Sequence, residues 1–92
     1  MKVTEIAAGF GLATRIGNTR VAVFNSGDGL TVLKNVCTHM GCETHWNGAE
    51  STWDCPCHGS RYHPDGTVLR GPAQEALTTL AYHVEGDELV LD

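Results

Sequence analysis

The chain predicts an all-β fold of antiparallel sheets, on three observations. Turn signals recur at short intervals: Gly17-Asn18, Ser26-Gly27-Asp28-Gly29, Asn47-Gly48, Pro64-Asp65-Gly66 and Glu85-Gly86-Asp87. Between them lie β-prone runs, and short strands at such spacing suggest a sandwich or barrel. No ten-residue stretch keeps a 3.6-residue period, which argues against an amphipathic helix.

In chain order, Thr19 to Phe24 alternates about Val21 and Val23 and reads as a strand. Leu30-Thr31-Val32-Leu33 follows the Gly-rich turn, so the two runs predict a hairpin. Ser51-Thr52-Trp53-Asp54 is expected to be a strand. Residues 73–78, after Pro72, have room for one helical turn and no more. Leu80, Tyr82 and Val84 then alternate with Ala81 and His83. After Glu85-Gly86-Asp87, Leu89 and Leu91 close the chain as a final strand. The plan is one domain over residues 1–92. The N-terminal ~34 and C-terminal ~15 residues form a basal β unit, and about 36–70 form an inserted unit.

Ninety-two residues make one small domain. A chain this size buries only about 60–70% of its unfolded surface, so a covalent or metal staple is valuable. Six basic against eleven acidic side chains give a net charge of −5, which argues against nucleic acid as a partner. No segment approaches the ~20 apolar residues that span a bilayer. No apolar run follows Lys2 as in a signal peptide. The expectation is a soluble, cytoplasmic chain with no membrane segment. The Asp and Glu residues show no paired-carboxylate spacing and read as a solvated face.

Two clusters carry the chemistry: Cys37-Thr38-His39-Met40-Gly41-Cys42 and Cys55-Pro56-Cys57-His58-Gly59-Ser60. They hold all four cysteines and two of the five histidines. Thiolates with imidazoles suit either zinc or an iron–sulfur cluster. Zinc sites of this composition usually group Cys with Cys and His with His. Here each cluster supplies both types. Cys55-Pro56-Cys57 is not the Cys-x-x-Cys of disulfide exchange. A disulfide scaffold would also use four cysteines, but their placement beside His and Gly fits a metal site better.

The two clusters resemble the two halves of a Rieske iron–sulfur motif, with specific matches over about residues 36–73. The resemblance implies a Rieske-type fold, with a basal β unit and a cluster-binding subdomain. It also implies one 2Fe–2S cluster per chain, with two Cys on one iron and two His on the other. Cys37 and Cys55 would hold the inner iron, and His39 and His58 the outer one. Cys42 and Cys57 sit where the family places a loop-to-loop disulfide. Gly41 and Gly59 would allow tight bends beside the cluster. Ser60 and Tyr62 match the Ser-x-Tyr of the higher-potential members, whose hydroxyls donate to a bridging sulfide and a ligand thiolate. Gly71-Pro72-Ala73 resembles the proline loop that covers the cluster there. Met40 replaces the more usual Leu, a volume-conserving change.

Neutral His ligands leave a cluster less negative, and hydrogen bonds to sulfur stabilise its reduced state. The expected potential lies in the upper part of the roughly −150 to +300 mV Rieske range. His45, His63 and His83 fall outside the motif and read as surface or strand residues. Trp46 and Trp53 read as packing beneath the loops.

A saturated cluster of this kind implies one-electron transfer. The chain lacks the room and the 2-His-1-carboxylate set of an oxygenase, so by itself it reads as no enzyme. A redox partner would dock over His39 and His58, framed by Met40 and Pro72. Three contexts compete: a free Rieske ferredoxin, a domain fused to a flavin-dependent oxidoreductase, and the head of a quinol-oxidising complex. The stretch from His45 to Ser60 resembles the Rieske domain that ends some FAD-dependent oxidoreductases. From another class, a structural zinc domain would be colourless and redox-silent.

Overall fold

Hairpin turns organise the chain. The computed structural model describes residues 1–38 and 40–92, and among them nine strands form three antiparallel sheets. β1 (Gly11–Ile16), β2 (Thr19–Asn25) and β3 (Leu30–Lys34) make the first, in that order. β4 (His45–Asn47), β5 (Thr52–Asp54), β6 (Arg61–Tyr62) and β7 (Val68–Arg70) make the second. β8 (Tyr82–Glu85) and β9 (Glu88–Leu91) pair as a terminal hairpin. A single 3-10 turn, Val3–Glu5, is the only helical element among the described residues. None of their helices is long and apolar enough to cross a membrane.

β2 explains how the sheets stack. Val21, Ala22 and Val23 are all fully buried, because this strand is covered on both faces. Alternate residues point to opposite faces. Val21 and Val23 join Ile6, Val32 and Leu89 in one core, beneath the terminal hairpin. Ala22 joins Leu33, Cys37, Trp53, Cys55 and Tyr62 in the other. The basal sheet thus divides two cores, and the second core is the floor of both cysteine loops.

Two expectations need correction. Ser51 is not part of the strand: it lies in the preceding turn at φ 55°, and β5 begins at Thr52. Residues 73–78 form no helical turn. Ala73 and Leu77 are buried with helix-like spacing, but the main chain is engaged by its neighbours instead. Leu77 N–H donates to Gly66 O at 2.9 Å, Lys34 N–H to Thr78 O at 2.8 Å, and Leu80 N–H to Val32 O at 2.8 Å. Its end, from Thr78 to Leu80, runs along the open edge of β3, where unpaired strand groups need partners, while Leu77 is held by Gly66 and Ala73 by Ser60.

Candidate metal centre

The two cysteine loops share one main-chain frame. Cys37 N–H donates to Cys42 O at 2.7 Å, and Gly41 N–H to Cys37 O at 2.7 Å. In the second loop Cys55 N–H donates to Ser60 O at 2.8 Å, and Gly59 N–H to Cys55 O at 3.1 Å. Each loop is a six-residue hairpin end, Cys-x-x-x-Gly-x. The glycine sits at φ 75° in one and 81° in the other, where a side chain would be strained.

Cys42 and Cys57 form a disulfide that joins the loops. Their sulfurs lie within 4.8 Å of the Cys55 sulfur, but bonded to each other they are not available as ligands. Cys37 and Cys55 are both 2% exposed, against Trp53 and Tyr62. Burial pushes the Cys55 thiol above its ordinary pKa. The nearby Cys37 adds to this, while main-chain N–H groups of Cys57 and His58 oppose it by donating to the sulfur. His58 is exposed on the same loop. The fourth expected ligand, His39, lies outside the described residues.

Tyr62 is the hub between the loops. Its hydroxyl lies 3.2 Å from the Cys37 sulfur and accepts the Thr38 amide hydrogen at 3.2 Å. Thr38 Oγ1 is 3.1 Å from the same hydroxyl and donates its own proton to Glu75 O at 2.6 Å. With the Thr38 proton on Glu75 O, the single Tyr62 proton has two acceptors in reach, the Thr38 oxygen and the Cys37 sulfur, and a thiolate there is the stronger of the two. Burial, then the adjacent Cys37, raises the Tyr62 pKa and keeps the group a donor. Ser60 is fully buried, and its Oγ accepts the Ala73 amide hydrogen at 3.0 Å, which leaves its own proton to donate. That bond also seats the Gly71-Pro72-Ala73 segment beside the second loop. Thr38, Pro72, Gln74 and Glu75 line an open cleft next to the first.

Two buried sulfurs, met by hydroxyl and amide donors, suit thiolates that carry negative charge. The donor set therefore fits a 2Fe–2S cluster. His45, His63 and His83 are all exposed, and Trp46 and Trp53 pack edge to face beneath the loops, centroids 4.9 Å apart.

The sequence reading passed over the residues at the loop bases, Asn35 with Thr44 and Asp54 with Arg61. The second pair had a signal: opposite charges stand immediately before Cys55 and immediately after Ser60.

The comparisons agree. The family model for the Rieske [2Fe-2S] domain matches residues 1–81. The chain belongs to the Rieske [2Fe–2S] domain family. YhfW of Bacillus subtilis (strain 168), which carries the name of a Rieske 2Fe–2S iron–sulfur protein, is 47% identical over 74 residues, 79% of this chain and 14% of that protein. The cytochrome b6-f complex iron–sulfur subunit of Chlorobaculum thiosulfatiphilum is 33% identical over 90 residues, 98% of this chain and 50% of that subunit. The chain thus spans half or less of the length of these relatives. In structure, the plasma membrane Rieske protein PetC3 from Synechocystis PCC 6803 matches with a TM-score of 0.75 and 34% identity, covering 89% of this chain and 85% of that one. The cofactor is accordingly a Rieske-type 2Fe–2S cluster, and the zinc reading falls away.

Proposed function

We propose that the chain is an electron-transfer domain in which Cys37 and Cys55 hold the inner iron and His39 and His58 the outer one. The cluster supplies a one-electron couple. The chain's own residues do the rest. Cys37 and Cys55 sit in a core that excludes water, while His58 faces solvent on the side where a partner docks. Tyr62 and Ser60 hold hydroxyl protons toward the buried side of the site. The disulfide keeps the two halves at a fixed separation.

The observation that carries this reading is the Tyr62 hydroxyl at 3.2 Å from the Cys37 sulfur, with Cys37 and Cys55 both buried at the base of loops that the Cys42–Cys57 disulfide joins. The test is to purify the protein, count iron and acid-labile sulfide, and record the reduced electron paramagnetic resonance spectrum. Two irons and two sulfides with a Rieske spectrum are expected in the parent. Cys55→Ser and His58→Ala are expected to lose them. Retention of the cluster in either variant would overturn the ligand assignment.

The domain is proposed to span residues 1–92, with about 36–70 as its cluster-binding part. It passes electrons to a partner and makes no bond change of its own. Fusion to a larger oxidoreductase is favoured, since the match to YhfW fills only 14% of that relative. A free carrier is the second reading. The mass of the native polypeptide in source cells decides between them. Cytoplasmic location belongs to the same proposal, and cell fractionation checks it.

A further inference from the structure

The necks of the two loops are built differently. Two residues outward from the Cys55–Ser60 pair, Trp53 and Tyr62 face each other as register partners of β5 and β6. The same step outward from Cys37–Cys42 reaches Asn35 and Thr44, which lie outside the strands. Here a side chain takes the place of the rung. Asn35 Oδ1 accepts from Thr44 N–H at 2.8 Å and from the Thr44 hydroxyl at 2.7 Å, and Asn35 Nδ2 donates to Thr44 O at 3.2 Å. The two residues are 1% and 0% exposed. The carboxamide offers Thr44 one donor and one acceptor, as a peptide of a neighbouring strand would. The main chain of Asn35 is engaged on the other side: its N–H donates to Arg20 O at 2.9 Å, extending the β2–β3 ladder. By its backbone Asn35 belongs to the basal sheet, and by its side chain to the first cysteine loop.

Aspartate has the acceptor but lacks the donor, and would bury a charge at this point. Serine is too short to span the gap. The three bonds use both acceptor positions of the Asn35 carboxamide and one of its two N–H donors.

We propose that Asn35 is a positioning residue of the metal centre: it closes the neck of the first loop and so holds the Cys37 sulfur against the Tyr62 hydroxyl. The proposal rests on the assignment of Cys37 as a ligand. Cys37 follows two residues after Asn35, and the rung it makes with Cys42 is the next one up. With the neck shut, two successive cross-links fix the direction of the Cys37 side chain. With it open, the base of the loop loses the rung below Cys37 while the bonds within the loop stay, and hydrogen bonds weaken steeply as distance and angle drift.

The test uses the holoprotein with Asn35→Ala, Thr44→Val, Tyr62→Phe and the Asn35→Ala/Tyr62→Phe pair. Protein-film voltammetry reads the potential, and amide exchange followed by mass spectrometry reads the segments of Cys37 and Thr44 in the same holoprotein. Asn35→Ala is expected to shift the potential downward, as Tyr62→Phe does, and to add little on the Tyr62→Phe background, because both act through one bond. Thr44→Val removes one of the three bonds and keeps the fold. Its expected shift is smaller and of the same sign, so it decides the matter even if Asn35→Ala does not fold. The Thr44 amide should exchange about tenfold faster or more in Asn35→Ala, having lost its buried acceptor, and the Cys37 amide should follow as its rung to Cys42 O loosens. A lowered melting temperature with an unmoved potential in Thr44→Val and Asn35→Ala would overturn the proposal. So would a full additive shift in the pair. A parent protein without iron would overturn the ligand assignment itself, a separate outcome visible before any variant is made.

Discussion

The Tyr62 hydroxyl lies 3.2 Å from the Cys37 sulfur, at a point where the tyrosine is 0% and the cysteine 2% exposed. A hydrogen bond to a thiolate favours the more negative, reduced state. A net contribution of about 1–1.5 kcal/mol corresponds to roughly 40–65 mV for one electron. Tyr62→Phe is predicted to lower the potential by about that much, and Ser60→Ala by a similar step. Voltammetry on the two single variants and the double variant measures it. An unchanged potential in the double variant would remove both hydroxyls from the tuning of the centre.

Asp54 and Arg61 bracket the second loop as register partners, with Arg61 Nε donating to Asp54 Oδ1 at 3.0 Å. Asn47 and Thr52 donate to the same carboxylate at 2.8 and 2.7 Å. Partial burial acts to raise the Asp54 pKa, but hydrogen bonds from Arg61, Asn47 and Thr52 outweigh it and hold it below the ordinary 3.8. A depressed folded-state pKa contributes stability that is fully present above the unfolded value and lost as pH falls through the folded one. Stability should therefore decline below about pH 4. Asp54→Asn is predicted to cost about 1–2 kcal/mol at neutral pH, modest because the pair is partly solvated. It should also flatten part of the acid limb in melting temperature against pH.

His83 titrates in the opposite sense. Its Nε2 lies 2.6 Å from Glu85 Oε2 and its Nδ1 bonds Asp92. The Asp92 carboxylate, then that of Glu85, raises its pKa above the ordinary 6.5. A raised pKa contributes stability that is complete below the unfolded value and lost as pH climbs through the folded one. The β8–β9 hairpin should loosen on the alkaline side of neutrality. In His83→Gln that slope is expected to vanish, as read by amide exchange across the hairpin at pH about 6 to 9.

The Cys42–Cys57 bridge spans a sequence separation of 15 residues. Chain-entropy arguments assign about 3 kcal/mol to a loop of roughly that size. Replacing both cysteines with serine is predicted to lower unfolding free energy in urea by about that amount. Iron should also leave the double variant faster, since nothing covalent then joins its two halves.

Gly11 faces the two tryptophans at close quarters. A Cβ there would stand 2.7 Å from ring atoms of both Trp46 and Trp53. Trp53 is fully buried and Trp46 packs against it and Phe24, so Gly11→Ala should destabilise by about 1–3 kcal/mol through overpacking. Denaturation followed by tryptophan fluorescence reads the loss and the shift of the rings in one experiment.

Much of this molecule was legible in its sequence, for reasons that can be named. Turn residues marked the hairpins at Gly17-Asn18 and Glu85-Gly86-Asp87, because positive φ at Gly17 and Gly86 has few alternatives to glycine. The cysteine loops stood out because their glycines and ligand types are local. What stayed hidden depends on partners distant in the chain. Val21-Ala22-Val23 shows hydrophobicity but not that two different cores receive it. Residues 73–78 carry helix-like spacing, yet Ser60, Gly66 and the open edge of β3 engage their backbone at Ala73, Leu77 and Thr78. Asn35 looks like any polar residue at a strand end until Thr44 is brought against it. The Tyr62–Cys37 contact was reachable only through the family resemblance, since 25 residues separate the two.

The shared frame of the two loops has a consequence for how such a centre is specified. Cys37 matches Cys55 and Gly41 matches Gly59, bond for bond along the main chain. Counted from each cysteine, however, the histidine is the third residue in one loop and the fourth in the other. Exchanging the two hexapeptides would leave the paired Cys and Gly main-chain bonds satisfiable, yet it would move each histidine by one place and put Pro56, which has no N–H, where the Thr38 amide donates to Tyr62. Above their necks the two loops are one repeated main-chain form. On the proposed assignment, the asymmetry that distinguishes one metal position from the other is carried within each loop by residue type, cysteine for one iron and histidine for the other.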